Sequence, residues 1–133
     1  MIRSVVATVL AASWITYSEA ARQCVVFVEP SDYFERSDVV FLGTVVSTKP
    51  TGAQGNHIVT DIATFDVERI WKGPTQSQFT VGDDRPFMVG GRYIVFAGGK
   101  PLSTAMLCGW AELEETAEKK LRWLETKPSR RPK

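Results

Sequence analysis

The alternation of apolar and polar positions first describes a leader. Arg3 precedes the apolar run "SVVATVLAASWI" (4–15) and a polar stretch, "TYSEA", with Ser18 and Ala20 at the −3 and −1 positions of a cleavage point. A basic start, an apolar run too short for a bilayer and small residues at the end predict a secretory signal over 1–20, leaving Ala21 as the mature N-terminus. Beyond it, "EPSDYFERSD" (29–38) predicts a short helix opened by Pro30 and Ser31, with Tyr33 and Phe34 turned inward. "VVFLGTVVS" (39–47) is apolar and β-branched, a strand in which Gly43 marks a bulge or a close backbone approach. The Gly-rich, polar "KPTGAQGN" (49–56) predicts an exposed hairpin connection.

Strict alternation follows. In "HIVTDIATFDVERIW" (57–71), Ala63, Phe65, Val67, Arg69 and Trp71 share one face, and Thr64, Asp66 and Glu68 the other. "KGP" (72–74) ends this strand, "SQFTVG" (77–82) makes a shorter one, and "DDRPFMVGG" (83–91) is a loop. "RYIVFAG" (92–98) is apolar on both faces, as expected near the centre of a barrel, and "LSTAMLC" (102–108) is the last predicted strand. "WAELEETAEKKLRWLE" (110–125) predicts an amphipathic helix with Trp110, Leu113, Ala117, Leu121 and Leu124 in one stripe. The expectation is a mainly β fold with flanking helices, specifically a five-stranded OB-type barrel. There is no repeat and no second composition zone. One domain over 21–126 is expected, followed by "KPSRRPK" (127–133) as a basic, disordered tail.

Composition narrows the function classes. Removing 20 residues from 133 leaves 113, an ordinary single domain, and the formal charge stays at +1 because Arg3 and Glu19 leave together. That balance supplies no field for gripping nucleic acid. After the leader no apolar run is long enough to cross a membrane, so a mature monomer without stable membrane insertion, periplasmic or secreted, is expected. An exported chain with two cysteines, Cys24 and Cys108, predicts one disulfide. In the chain-entropy model that bridge contributes roughly 4–5 kcal/mol, because it closes nearly the whole domain. "ARQ" before Cys24 lacks the small apolar residues of a lipid-anchor signal, and two cysteines with the single His57 make a poor zinc set.

No catalytic constellation is visible. Asp83 and Asp84 are adjacent in a loop, an arrangement that predicts solvated charge rather than a paired acid and base. His57 sits by a Gly-rich turn with no Ser–His or Cys–His motif around it, and "VGGRY" and "FAGGK" lack phosphate-loop spacing. Tyr93, Phe96, Phe65 and Trp71 could stack on bases, but they alternate with Val and Ile and have no interleaved basic residues, so they read as core. No enzyme activity, cofactor or metal is expected. The pattern favours a protein-binding module.

"CVVFVEPSDYFERSDVVFLGTVVS" (24–47), "FDVERIWKGP" (65–74), "DRPFMVGGRYIVFAGG" (84–99) and "LSTAMLCGWAEL" (102–113), in this order, resemble the tissue inhibitor of metalloproteinases (TIMP) family. The likeness is to its netrin-like inhibitory domain, above all to short bacterial secreted relatives, and it covers almost the whole mature chain. The resemblance implies a five-stranded OB barrel that inhibits zinc metalloproteases through its N-terminus. There, the α-amino group and carbonyl of a terminal cysteine reach the protease zinc. It also implies that Cys24 and Cys108 match one family bridge. The other bridge is missing: Arg22 stands at its first position and Asp83 at its second, which implies a surface Arg22–Asp83 ion pair worth ~0–1 kcal/mol. The inhibitory wedge would be Arg22, Gln23, Cys24, Val25 and Val26 beside Gly82 and Asp83. With Ala21 extending the terminus and its anchoring bridge lost, inhibition is expected to be weak, since an unanchored terminus loses ordering entropy on binding. The alternatives are an envelope or periplasmic interaction module with no protease target and, more remotely, a nucleic-acid-binding OB protein.

Overall fold

The structure, a computed structural model, describes residues 29–50, 61–104 and 109–132. The predicted leader, the positions 21–28 that include five wedge residues, His57 and both cysteines lie outside the described residues.

The first element, α1 (Pro30–Arg36), begins with Pro30 in its first turn, where a missing N–H costs nothing. Its C-terminal carbonyls are well supplied. Tyr33 O accepts from the Ser37 amide at 3.0 Å and the Ser37 hydroxyl at 2.6 Å, while Lys72 Nζ donates to Phe34 O at 2.8 Å. A lysine at this end also complements the helix dipole. As expected from the sequence, Tyr33 is buried and Phe34 half-buried.

Five strands follow: β1 (Val39–Pro50), β2 (Asp61–Lys72), β3 (Gln78–Asp83), β4 (Arg92–Ala97) and β5 (Trp110–Leu113). They form one antiparallel sheet in the order β3-β2-β1-β4-β5. A 3-10 turn (Glu114–Thr116) and α2 (Glu118–Leu124) complete the regular elements of the described residues. The sheet is not closed into a barrel. An isolated parallel bridge joins Gly82 of the edge strand β3 to Ser103, in the connection between β4 and β5, and Ser103 also bridges Gly98 beyond β4.

Both faces of the sheet are covered. One face carries Phe41, Val45, Ala63, Phe65, Val67, Ile70, Phe79, Val81, Phe87, Tyr93 and Val95 in one core. The other buries Val40, Leu42, Trp71, Ile94 and Phe96 beneath Tyr33 of α1 and Ala117 and Leu124 at α2. Successive residues of β1 and β4 therefore enter opposite cores, which is why those strands read as unbroken apolar runs. The four aromatics that the sequence placed in the core are all buried there.

Four expectations need correction. β2 does not keep one phase: Ala63, Phe65 and Val67 share a core with Ile70, whereas Trp71 enters the other. The pairing passes from Gly43↔Val67 to Leu42↔Arg69 and from Phe41↔Ile70 to Val40↔Lys72, so Glu68 and Trp71 are extra residues on β2. Residues 110–113 are not helical. They pair with β4 from Phe96↔Trp110 to Tyr93↔Leu113, and this pairing overrides the helix preference of Ala, Glu and Leu. The last strand accordingly lies after Cys108, while 102–104 form a turn and bridges. β4 is next to the edge; β1 is central.

The fourth concerns the C-terminal segment expected to be disordered. Arg130 exchanges two backbone hydrogen bonds with Ile70 of β2 (2.8 and 2.9 Å). Arg69 donates to Ser129 Oγ at 2.9 Å, and Arg130 Nε to Thr75 Oγ1 at 2.7 Å. The segment occupies the stretch of β2 edge beyond the start of β3 and satisfies backbone groups that would otherwise face solvent unpaired.

Candidate functional site

The end of β3 is tied to a segment about twenty residues further along. Gly82 N donates to Leu102 O at 2.9 Å and Thr104 N to Gly82 O at 3.0 Å. Thr104 Oγ1 donates to Asp83 Oδ2 at 2.5 Å, and the Arg85 amide to Asp83 Oδ1 at 2.9 Å. The last bond is a two-residue turn closed by a carboxylate, a role for which Asp is well suited. Across the strand pair, Asp61 of β2 lies opposite Asp83. Asp84 and Arg85, the next two residues, are exposed.

Asp83 is thus not the solvated charge expected from its loop position, and an ion pair made by it is not a surface one: it is only 8 % exposed. Burial pushes its pKa up to about 6, a hydrogen bond with Asp84 adds to the rise, and the donors Thr104 and Arg85 oppose it. A folded pKa above the unfolded value of 3.8 means that the folded state holds this proton more tightly. The contribution to stability is complete below about pH 4 and is lost as pH rises through about 6. Asp83→Asn should therefore exceed wild type by about 1 kcal/mol at neutral pH, with the difference vanishing near pH 4, as read from denaturant midpoints at both pH values. An unchanged pH slope in the variant would contradict this assignment.

Among the described residues, the loop between β3 and β4 presents the most exposed large apolar side chains. Met88 and Val89 are 57 % and 63 % exposed, and Val46 of β1 is 42 % exposed. The loop backbone is held rather than loose. Gly90 N donates to Val45 O at 2.8 Å, Val45 N to Gly91 O at 2.9 Å, and Met88 N to Tyr93 Oη at 3.0 Å. These bonds bring Val46 and the Met88–Val89 tip to the same rim. Exposed apolar side chains on a braced backbone suit a protein contact, because little order remains to be lost on binding.

Of the wedge positions, the structure describes Gly82 and Asp83 and joins them to Ser103 and Thr104. Arg22, Gln23, Cys24, Val25 and Val26 lie outside the described residues, as do both ends of the expected disulfide. Thr104, Met88 and Val89 were not singled out by sequence. Thr104 carries no motif, and its role arises only when its segment reaches β3. Among the described residues no cluster of three His, Cys, Asp or Glu is arranged to hold a metal, and no helix is long and apolar enough to cross a membrane. Neither a scan against protein-family models nor a search of curated proteins returned a match.

Proposed function

We propose that this chain is an exported, disulfide-stapled OB-type binding module of the TIMP and netrin-like kind. Its N-terminal segment and the Gly82–Asp83 corner would contact a zinc metalloendopeptidase. The observation that carries the reading is the seam at Gly82. A five-stranded barrel with neighbours β3-β2-β1-β4-β5 would close by bringing β3 to β5, and the parallel Gly82–Ser103 bridge supports that reading by joining β3 to the connection that leads from β4 to β5. The corner that the resemblance assigns to the inhibitory surface is the end of β3 on this seam, where Thr104 and the Arg85 amide hold Asp83 in place. The exposed Val46, Met88 and Val89 add apolar contact area suited to a protein partner. The candidate base-stacking aromatics are buried in the two cores, which favours a protein over a nucleic acid.

In this reading the terminal amine and first carbonyl supply ligands to the protease's open zinc position. With Arg22 in place of the anchoring cysteine, the mature protein should inhibit weakly. The variant Arg22→Cys with Asp83→Cys, produced so that residue 22 is terminal, should inhibit a broad-specificity zinc endopeptidase at least about tenfold better, equivalent to about 1.4 kcal/mol. Acetylating its α-amine should abolish the gain by removing the nitrogen lone pair. If acetylation makes no difference, the terminus is not the inhibitory element. If no form inhibits, the protease reading fails and an envelope interaction module takes its place.

A further inference from the structure

Separate from the β3 corner, α1, the end of β2 and the C-terminal segment enclose an open cleft of about 440 Å³, lined by Phe34, Trp71, Lys127, Pro128, Ser129 and Arg130. Phe34, Trp71 and Pro128 make its apolar walls. Trp71 is 6 % exposed, and its indole N–H is buried with no hydrogen-bond acceptor. Such donors are rare in folded proteins, and this one belongs to a residue that lines the cleft.

Cations crowd the same place. Lys72 Nζ lies 5.2 Å from the Phe34 ring centre, Lys127 Nζ 5.0 Å from that of Trp123, and the Arg69 guanidinium 4.8 Å from that of Trp71. Their hydrogen-bond partners are neutral: Lys72 donates to the carbonyls of Phe34 and Glu35, Arg69 to Ser129 Oγ, and Arg130 to Thr75 Oγ1. Among the described residues only Glu125 comes within ion-pair range of these four cations, 3.9 Å from Arg69. The backbone pairing of Arg130 with Ile70 holds the tail's charge beside the others against their mutual repulsion.

We propose that this cleft binds an aromatic carboxylate, with the ring against Phe34 and Trp71 and the anionic oxygens at Lys127 and Arg130. The volume is near the lower end of small-molecule sites, roughly 300–1,000 Å³, and suits one ring with one acidic group rather than an extended polyanion. A free aromatic acid and a peptide ending in an aromatic residue share this chemistry.

The test uses the full chain and NMR of its tryptophan indole N–H groups. N-acetylphenylalanine should shift the Trp71 and Trp123 signals saturably, with a Kd on the order of 1 mM, and leave Trp110 unmoved. Its amide, which keeps the ring and loses the charge, should bind at least about tenfold more weakly, and added salt should weaken the acid. Lys127→Gln, a surface change that leaves the tail's backbone pairing intact, should weaken the acid about three- to tenfold. Tighter binding of a tripeptide ending in phenylalanine would support a chain terminus as the source, and weaker binding a free acid. Equal binding of acid and amide, an equal shift at Trp110, or no saturable shift up to about 10 mM overturns the proposal.

Discussion

Phe65→Ala should lower the free energy of unfolding by about 3–5 kcal/mol, as measured by denaturant titration. Phe65 is fully buried, and its ring lies 5.3 Å from Phe41, 5.3 Å from Phe87 and 6.0 Å from Tyr93, in each case edge-on. Those partners come from β1, the β3–β4 loop and β4, so one side chain joins β2 to three other parts of the chain. Truncation removes the transfer energy of the ring, opens a cavity and abolishes three favourable aromatic contacts at once. A domain of this size has roughly 5–15 kcal/mol to lose, which brings the variant close to its unfolding threshold. Phe65→Leu refills most of the space and should cost about 1–1.5 kcal/mol. A loss below about 1 kcal/mol in the alanine variant would mean that this cluster does not hold the sheet's first core together.

Gly43→Ala is expected to cost about 1–3 kcal/mol despite adding a single methyl group. A Cβ at this position would stand 2.7 Å from the Asp66 carbonyl oxygen and 3.2 Å from the Phe41 ring. The nearer neighbour is backbone, in the strand paired through Thr44↔Asp66, so the sheet itself must shift. The register step between Leu42 and Gly43 lies at the same point, which ties the glycine to the bulge that turns β2 over. Gly90→Ala is the informative comparison. Nothing lies within 4 Å of its Cβ, but φ is +84°, so its cost is one of conformation, about 1–2 kcal/mol. Amide exchange should separate the two, with Gly43→Ala accelerating Thr44 and Val45 and Gly90→Ala acting on the loop. An unperturbed melting curve for Gly43→Ala would refute the close-approach argument.

Much of the fold was legible because its signals are local. Pro30 opening α1, the apolar run of β1 with Gly43 inside it and the alternation through Ala63, Phe65 and Val67 all reappear in the structure. What escaped depends on distant partners. Trp71 belongs to the second core only because one extra residue, Glu68, is taken up against β1, and "WAEL" becomes a strand only because β4 is there to pair with it. The tail is polar and proline-rich, yet two backbone bonds to Ile70 order it, and backbone bonds leave no mark in side-chain pattern. The site shows the same limit. Gly82 and Asp83 could be named by resemblance, but the burial of Asp83 depends on Thr104, 21 residues away in the chain.

The placement of β1 has a consequence for how the molecule opens. Phe41 and Val45 belong to one core while Val40 and Leu42 belong to the other, and β1 hydrogen-bonds to β2 on one side and β4 on the other. Neither core can come apart around β1 without removing a wall of its counterpart. The amides in the middle of β1 therefore exchange with solvent only through global unfolding. β5, four half-buried residues at a sheet edge, can detach at much lower free energy. The chain thus combines a rigid centre with a β5 margin that opens far more readily.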